Sequence, residues 1–417
     1  MKIIYLHQYF NTLSMFGSTR SYEFARRLVS RGHEVHVITS WRDVSDGDDW
    51  IETIEEGIHV HWKPIEYSNH MSFSKRIIAF FKFAFVSANK AASIKADLIF
   101  ATSTPLTVVF PAAWAKFRLG IPIVFEVRDL WPELPIAIGA LRNPFLKTAA
   151  SLLEFFAYHN SKAVIALSPG MKDGVIKRGF PQKQIAMIPN CCDNKTFGVD
   201  DSLGLTFRNK RSWLGDSPLL LYAGTFGKIN DVSYLIDLAV ALKKIDSNIK
   251  ILLIGRGSEF EIVRERANQQ RVFGDNVFME SQMSKTEIVS ALSAATVASA
   301  LFLDLPEMRA NSSNKFFDCL ASGTPVFLNY GGWMSDLVTR RGCGLSGWGV
   351  PISEVAVLLN NKINNVSWLK AAGTEAKKLA SEDFDRDVLA DKFAQVLEAA
   401  AKDGVFDAEI IAPGNIS

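Results

Sequence analysis

The chain has 417 residues, 48% of them hydrophobic and 22% charged, with 46 Lys and Arg against 44 Asp and Glu. That length accommodates two separate cores, and a net charge of +2 excludes a nucleic-acid binder working through bulk electrostatics, leaving room only for a local basic patch. Cys191, Cys192, Cys319 and Cys343 follow no ligand spacing, so neither a structural zinc nor a disulfide framework is expected, and free thiols in a reducing cytoplasm are.

The first strand is expected at "KIIYLH", in a stretch too short and too polar for the apolar region of a signal peptide. "TRSYEFARRLVSRGH" has apolar residues at helical spacing with Gly32 at its stop, and "EVHVITS" completes a βαβ unit. Strands "GIHVHWKP", "ADLIFATS", "PIVFEV" and "KAVIALS" then alternate with helices around 75–95, 105–118 and 143–160, and "PGMKDGVIKRG" with "QIAMIPN" closes the first half. The polar interval "NKTFGVDDSLGLTFRNKRSWLGD" shows no strand pattern. It predicts a linker at 196–216 between a first domain, 1–195, and a second, 217–384. There "LLLYAG", "KILLIG", "NVFME", "VASALF", "PVFLN" and "GCGLSG" read as strands, with helices at 231–245, 258–270, 284–294, 352–362, 367–381 and 385–401 and a tail over 406–417. Strands interleaved with helices imply parallel sheets covered on both faces. The expected fold is α/β, with two doubly wound Rossmann-like domains facing across a cleft and ligands beyond the carboxyl ends of the strands.

That rule makes each strand-to-helix turn a candidate site. Gly17 and Ser18 precede a helix carrying Arg20. Exposed N–H groups there suit an anion, although Ser18 or Thr19 also suits an ordinary helix cap. "FEVRDLWPE" ends a strand with Glu126, Arg128 and Asp129, placed for substrate binding or proton handling, or for an ion pair that fixes the loop. "YAGTFGKIND" sets Gly224, Thr225, Lys228 and Asn230 in a glycine turn with Asp231 as helix cap, a fit for phosphate oxygens. "LLIGRGSEF" repeats the turn with Gly255 and Gly257, and "SSNKFFDCLASGTPVF" gathers Asn314, Lys315 and Asp318 at the start of a helix. Apolar spacing accounts for that helix but not for its three polar groups.

About residues 1–400 resemble retaining GT-B glycosyltransferases of family 4, through "GSTRSYEFARRLVSRGHEVHVIT", "EVRDLWPE", "ALSPGMKDGVIKRG", "IAMIPNCCD", "LLIGRG" and "SNKFFDCLASGTPV". The chain looks most like the bacterial branch that builds O-antigen and capsule repeat units. The resemblance implies an NDP-sugar donor, expected to be a UDP-sugar, held mainly by the second domain, and an acceptor, expected to be a lipid-linked saccharide, held mainly by the first. It also implies no metal or other cofactor, and a helix at 385–405 crossing back onto the first domain. Donor contacts are expected from Gly17, Ser18, Gly224, Thr225, Asn230, Gly255, Gly257, Asn314, Lys315 and Asp318. Two glutamates of the family, eight residues apart, fall here on Ala310 and Asp318. Asn314 and Lys315 are expected to replace the first, with Glu307 as an alternative. The Arg and Lys that relieve charge on the leaving diphosphate fall on Thr225 and Asn230, so Lys228 and Arg20 are expected to take that role. The catalytic histidine falls on Arg128, beside Asp129.

The expected activity is retaining transfer of a hexosyl or N-acetylhexosaminyl group from a UDP-sugar to a hydroxyl of a lipid-linked saccharide. Two other readings remain open at this point: a UDP-sugar 2-epimerase of the same fold, and a noncatalytic sugar-nucleotide-binding partner. "IIAFFKFAFV" is about ten residues long and carries Lys82, short of the ~20 needed to span a bilayer. Around it, Lys75, Arg76, Lys82, Lys90 and Lys95 punctuate Phe80, Phe81, Phe83 and Phe85. That pattern suits a helix lying on an anionic membrane surface, or one whose phenylalanines pack on the sheet above a solvated basic rim. The expected location is cytoplasmic, peripheral on the inner face of the cytoplasmic membrane.

Overall fold

The computed structural model describes residues 1–15, 17–43, 47–68, 71–198, 202–245, 247–402 and 404. The expected tail at 406–417 lies outside them. The chain divides into two compact units, one of Met1–Pro189 together with the residues from Asp387 on, the other of Asn190–Arg386.

The first unit is built on β1 (Lys2–Leu6), β2 (Glu34–Trp41), β3 (Ile51–Glu55), β4 (Ile58–Pro64), β5 (Leu98–Thr102), β6 (Ile123–Val127), β7 (Ala163–Ala166) and β8 (Ile185–Met187). Their order in the sheet is β3-β4-β2-β1-β5-β6-β7-β8. β3 pairs antiparallel with β4 and the other neighbours pair parallel. β3 has no counterpart in the sequence reading, because its partly exposed "IETIE" lacks the apolar run of a buried strand. The order reverses between β1 and β5, so the ligand-binding end of this sheet lies beyond Leu6 and Thr102. Helices Phe73–Ser93, Val109–Leu119, Pro144–His159 and Pro169–Lys177 share one core through Phe83, Ala112, Ala157 and Met171. The helix Arg386–Ala401 seats Phe393 4.9 Å from Phe24 and 4.8 Å from Phe100.

The second unit carries β9 (Leu219–Thr225), β10 (Lys250–Arg256), β11 (Val277–Glu280), β12 (Val297–Ala300), β13 (Val326–Leu328) and β14 (Gly344–Ser346). They form a parallel sheet in the order β11-β10-β9-β12-β13-β14, reversing between β9 and β12. The stretch expected as a 196–216 linker belongs to this unit instead. Its helix Ser202–Asn209 lies on Lys285–Ala294, with Gly204 packed where a Cβ would strike the Ser293 carbonyl. Arg208 donates to the Ala294 and Ser217 carbonyls, Arg211 pairs with Glu280, and Trp213 stacks 3.7 Å from Phe278. Its polar residues bind carbonyls and a carboxylate of neighbouring elements, which composition alone reads as a solvated linker.

Candidate functional site

In the second unit, β9 ends at the reversal point of the sheet, and Asn314–Ser322 is a helix closed by Gly323 in the left-handed region. Ser312 anchors the approach to it by accepting the Asn190 amide N–H through Oγ, while its carbonyl takes the Asn190 side chain at 2.6 Å. Lys315 lies directly over Gly224, where any Cβ would overlap its side chain. Its ammonium stands 5.5 Å above the Tyr222 ring. Among the described residues no acceptor lies within hydrogen-bonding reach of it. With Asp318, Leu221, Ala223, Ser299 and Cys319 it lines a cavity of about 20 Å³, room for about one water.

Burial lowers the Lys315 ammonium to about 8, with Asp318 opposing the shift. Burial likewise pushes the Asp318 carboxyl up to about 6, against the pull of Lys285, Arg386 and Lys315 and with the help of Asp193. Lys285 and Arg386 are engaged by Asp193, at 2.6 and 2.9 Å. A cation without an acceptor beside a carboxylate suits a ligand that brings anionic oxygens and hydroxyls together.

The other positions expected in this unit differ in setting. Asn314, Thr225 and Lys228 are exposed, and Lys228 opens a single 3-10 turn, Lys228–Asn230. Asn230 is buried in that turn. Asp231 sits in the left-handed region after it, φ 45°, so it does not cap the following helix, and it accepts from Asn329 at 3.3 Å. Gly255 and Gly257, expected to cradle phosphate, have a structural reason to be glycine. A Cβ on either would strike the backbone carbonyl of Gly224 or Phe226, where the turn after β10 closes on β9. Glu307 is half-buried in the 3-10 turn Pro306–Ala310.

In the first unit, Arg128 and Asp129 follow β6 beside the loop after β5. Ser103 Oγ accepts the Arg128 N–H at 3.0 Å, and Thr104 donates to Asp129 at 2.9 Å. Burial raises the Asp129 carboxyl, with Thr104 and Arg128 opposing. The Arg128 guanidinium reaches His7 Nε2 at 3.4 Å and Ser18 Oγ at 3.5 Å, so Ser18 and Arg128 come together, with Gly17 exposed alongside. Arg20 does not join them. Its guanidinium donates to Glu126 Oε1 from Nε and Nη2 at 3.1 and 2.8 Å, and to the Ile188 and Pro189 carbonyls at 2.9 and 2.6 Å. Both side chains of the pair are sealed, 2% and 1% exposed. The expected diphosphate contact is thus a framework ion pair, because Glu126 points into the core from β6 and needs a partner there. His7, Asn11 and Arg42 also stand at this end of the sheet and were not singled out from sequence. Their signal was position alone, directly after β1 and β2.

Residues 17–195 match the family model of Glycosyltransferase Family 4. The whole chain is similar in structure to Anabaena Alr3699/HepE, solved in complex with UDP and glucose, at 17% identity and TM-score 0.71, covering 96% of this chain and 100% of that one. It is similar to sucrose-phosphate synthase from Thermosynechococcus elongatus at 16% identity and TM-score 0.77, covering 97% and 100%. It also resembles WaaG, a glycosyltransferase involved in lipopolysaccharide biosynthesis, at 14% identity and TM-score 0.69, covering 95% and 99%. A search of curated protein sequences returns no match. Residues 17–195 thus resemble Glycosyltransferase Family 4 by their match to its model, in a chain that has the GT-B fold.

Proposed function

We propose that this protein transfers a hexosyl or N-acetylhexosaminyl group, with retention, from a UDP-sugar to a hydroxyl of a lipid-linked saccharide during synthesis of a surface polysaccharide. The observation that carries the reading is the Lys315 ammonium, without an acceptor and set over Gly224 beside Asp318, at the reversal point of the second sheet. Asp318 would accept the ribose hydroxyls, and Lys315 with the exposed Lys228 would stabilise charge gathering on the leaving diphosphate. These cations supply the charge relief that the reaction needs, so the reading requires no metal. Retention would follow if a leaving phosphate oxygen takes the acceptor proton on the face from which the diphosphate departs. The UDP complex of HepE and the lipopolysaccharide role of WaaG support this choice of donor and acceptor class.

A lipid-linked acceptor calls for a membrane-facing surface, and we place it on the first unit. Among the described residues no helix is long and apolar enough to cross a membrane. The helix Phe73–Ser93 buries Phe80 and Phe83 but turns Ile78, Phe81 and Phe85 outward, Phe85 being 78% exposed. Val109–Leu119 adds Phe110, Trp114 and Phe117, and Pro144–His159 adds Phe145, Leu146 and Leu152. Phe81 and Phe110 lie 6.2 Å apart, which joins the first two groups. Among the described residues these helices expose no acid, since Glu154 is buried against Arg178. Arg76 is held by Tyr67, Lys90 by Glu52 and the exposed Lys82 by Asp48 at 3.7 Å, whereas Lys75 and Arg118 remain at the surface. Apolar patches of this kind mark interaction sites, and aromatic residues among cations suit an anionic lipid surface.

Incubation with a panel of UDP-sugars, with and without a synthetic polyprenyl-diphosphate saccharide, tests the activity. UDP release that requires the acceptor, with an axial linkage by NMR, supports it. Sugar isomerised without acceptor marks an epimerase, and donor binding without turnover marks a noncatalytic partner.

A further inference from the structure

At the ligand-binding end of the first sheet, Arg42 and Arg128 hold the Gly17–Ser18 turn from two sides. Arg42 Nη2 donates to Asn11 Oδ1, Asn11 Nδ2 donates to the Ser18 carbonyl at 3.1 Å, and Ser18 Oγ accepts from Arg128 Nη2 at 3.5 Å. Neither guanidinium forms an ion pair among the described residues. Each has five donors in a planar fork, and the contacts just named, with His7, use one donor of Arg42 and two of Arg128.

His7 stands with them, 3% exposed. Burial, then Arg128 and Arg42, keeps its imidazole neutral. With Nε2 accepting from Arg128 at 3.4 Å, the single proton of the neutral ring sits on Nδ1, and that buried atom has no hydrogen-bond partner. Asp43 and Asp129 offset part of the charge of Arg42 and Arg128. The spare donors gathered at this strand end suit an anion with several oxygens.

We propose that Arg42 and Arg128, with the Gly17–Ser18 turn, form a subsite for a phosphate group of the acceptor, with His7 holding the Arg128 fork in place. The inference rests on the transferase reading above, since a lipid-linked saccharide joined through phosphate brings such a group to the first unit. The same chemistry is present in the donor's diphosphate, so the test must separate the two sources.

Titration of the full chain with inorganic pyrophosphate, alone and with saturating UDP, makes that separation. Without UDP a second pyrophosphate is expected at the donor's diphosphate site; with saturating UDP one per chain is expected. Its affinity should fall at least roughly tenfold in Arg42→Gln and in Arg128→Gln, fall less in Arg42→Lys, which keeps the charge, and stay unchanged in Lys315→Ala. Displacement of the arginine-dependent pyrophosphate by UDP would assign these arginines to the donor and overturn the proposal, as would affinity unchanged in both Gln variants. If a Gln variant fails to fold, Arg42→Lys decides alone: affinity equal to wild type rejects the fork. Pyrophosphate bound through the arginines by a chain that transfers no sugar keeps the subsite and removes the transferase reading. Sugar transfer without arginine-dependent pyrophosphate binding does the reverse.

Discussion

Arg20→Ala separates a framework role from a role at the diphosphate. The substitution removes two bonds to Glu126, two to backbone carbonyls, and a guanidinium placed 4.3 Å from the Phe24 ring centre. Among the described residues, the Glu126 carboxylate keeps only the Thr102 hydroxyl, at 2.7 Å. Both side chains are almost wholly buried, so solvent offers little screening, and removing one partner of such a pair costs about 3–5 kcal/mol. The expected loss sits in the first unit, around β6 and the segment after β8. Two units need not unfold together, so hydrogen exchange of the β6 amides is a better measure than one unfolding midpoint. Their exchange should accelerate roughly 100- to 4,000-fold. Arg20→Met combined with Glu126→Gln removes the stranded charge and should recover a large part of that protection. If β6 protection is unchanged in Arg20→Ala while sugar transfer collapses, the side chain acts on substrate and the framework assignment is wrong.

Lys315→Ala should weaken UDP-sugar affinity by roughly 10- to 100-fold, the value of one or two charge-assisted contacts, in a protein of unchanged stability; unaltered binding in calorimetry removes Lys315 from the donor site. Affinity should also peak between about pH 6, where Asp318 becomes charged, and about pH 8, where Lys315 loses its charge, and the acidic limb should vanish in Asp318→Asn. The stability term of Asp318 has the opposite sign. Its folded pKa lies above the ordinary carboxylate value, so it favours folding at low pH and that contribution is lost as pH rises through about 6. Gly224→Ala should push Lys315 off its seat and mimic Lys315→Ala in donor titrations, whereas a purely structural glycine would change melting temperature alone. Sedimentation with anionic vesicles should fall severalfold for the triple variant Phe81→Ser, Phe85→Ser and Phe117→Ser, and also at high salt; equal recovery of wild type and variant would argue against this surface as the membrane contact.

Much of the architecture was legible in the chain because parallel strands buried on both faces have to be apolar runs. "KIIYL", "LIFAT", "IVFEV" and "LLLYAG" declare themselves in that way, and the glycine stops between them mark the turns. The partly exposed β3 escaped, since its residues alternate too weakly to be told from a loop. The helix at 314–322 and its polar start could also be read directly, because Lys315 and Asp318 share one helical turn.

What only the tertiary structure decided was the partner of each charged group. Arg20 and Arg128 both stand in or beside strand-to-helix turns and look alike in sequence. Glu126 on β6 captures Arg20, while Arg128 is left facing His7 and Ser18. Gly255 and Gly257 look like phosphate turns until the carbonyls of Gly224 and Phe226 are seen against them. Ser202–Asn209 looks like a linker until its arginine meets the Ala294 carbonyl. Periodicity records which face of an element is buried. The energy of a charge depends on what lies within a few ångströms of it, and those neighbours come from residues far apart in the chain.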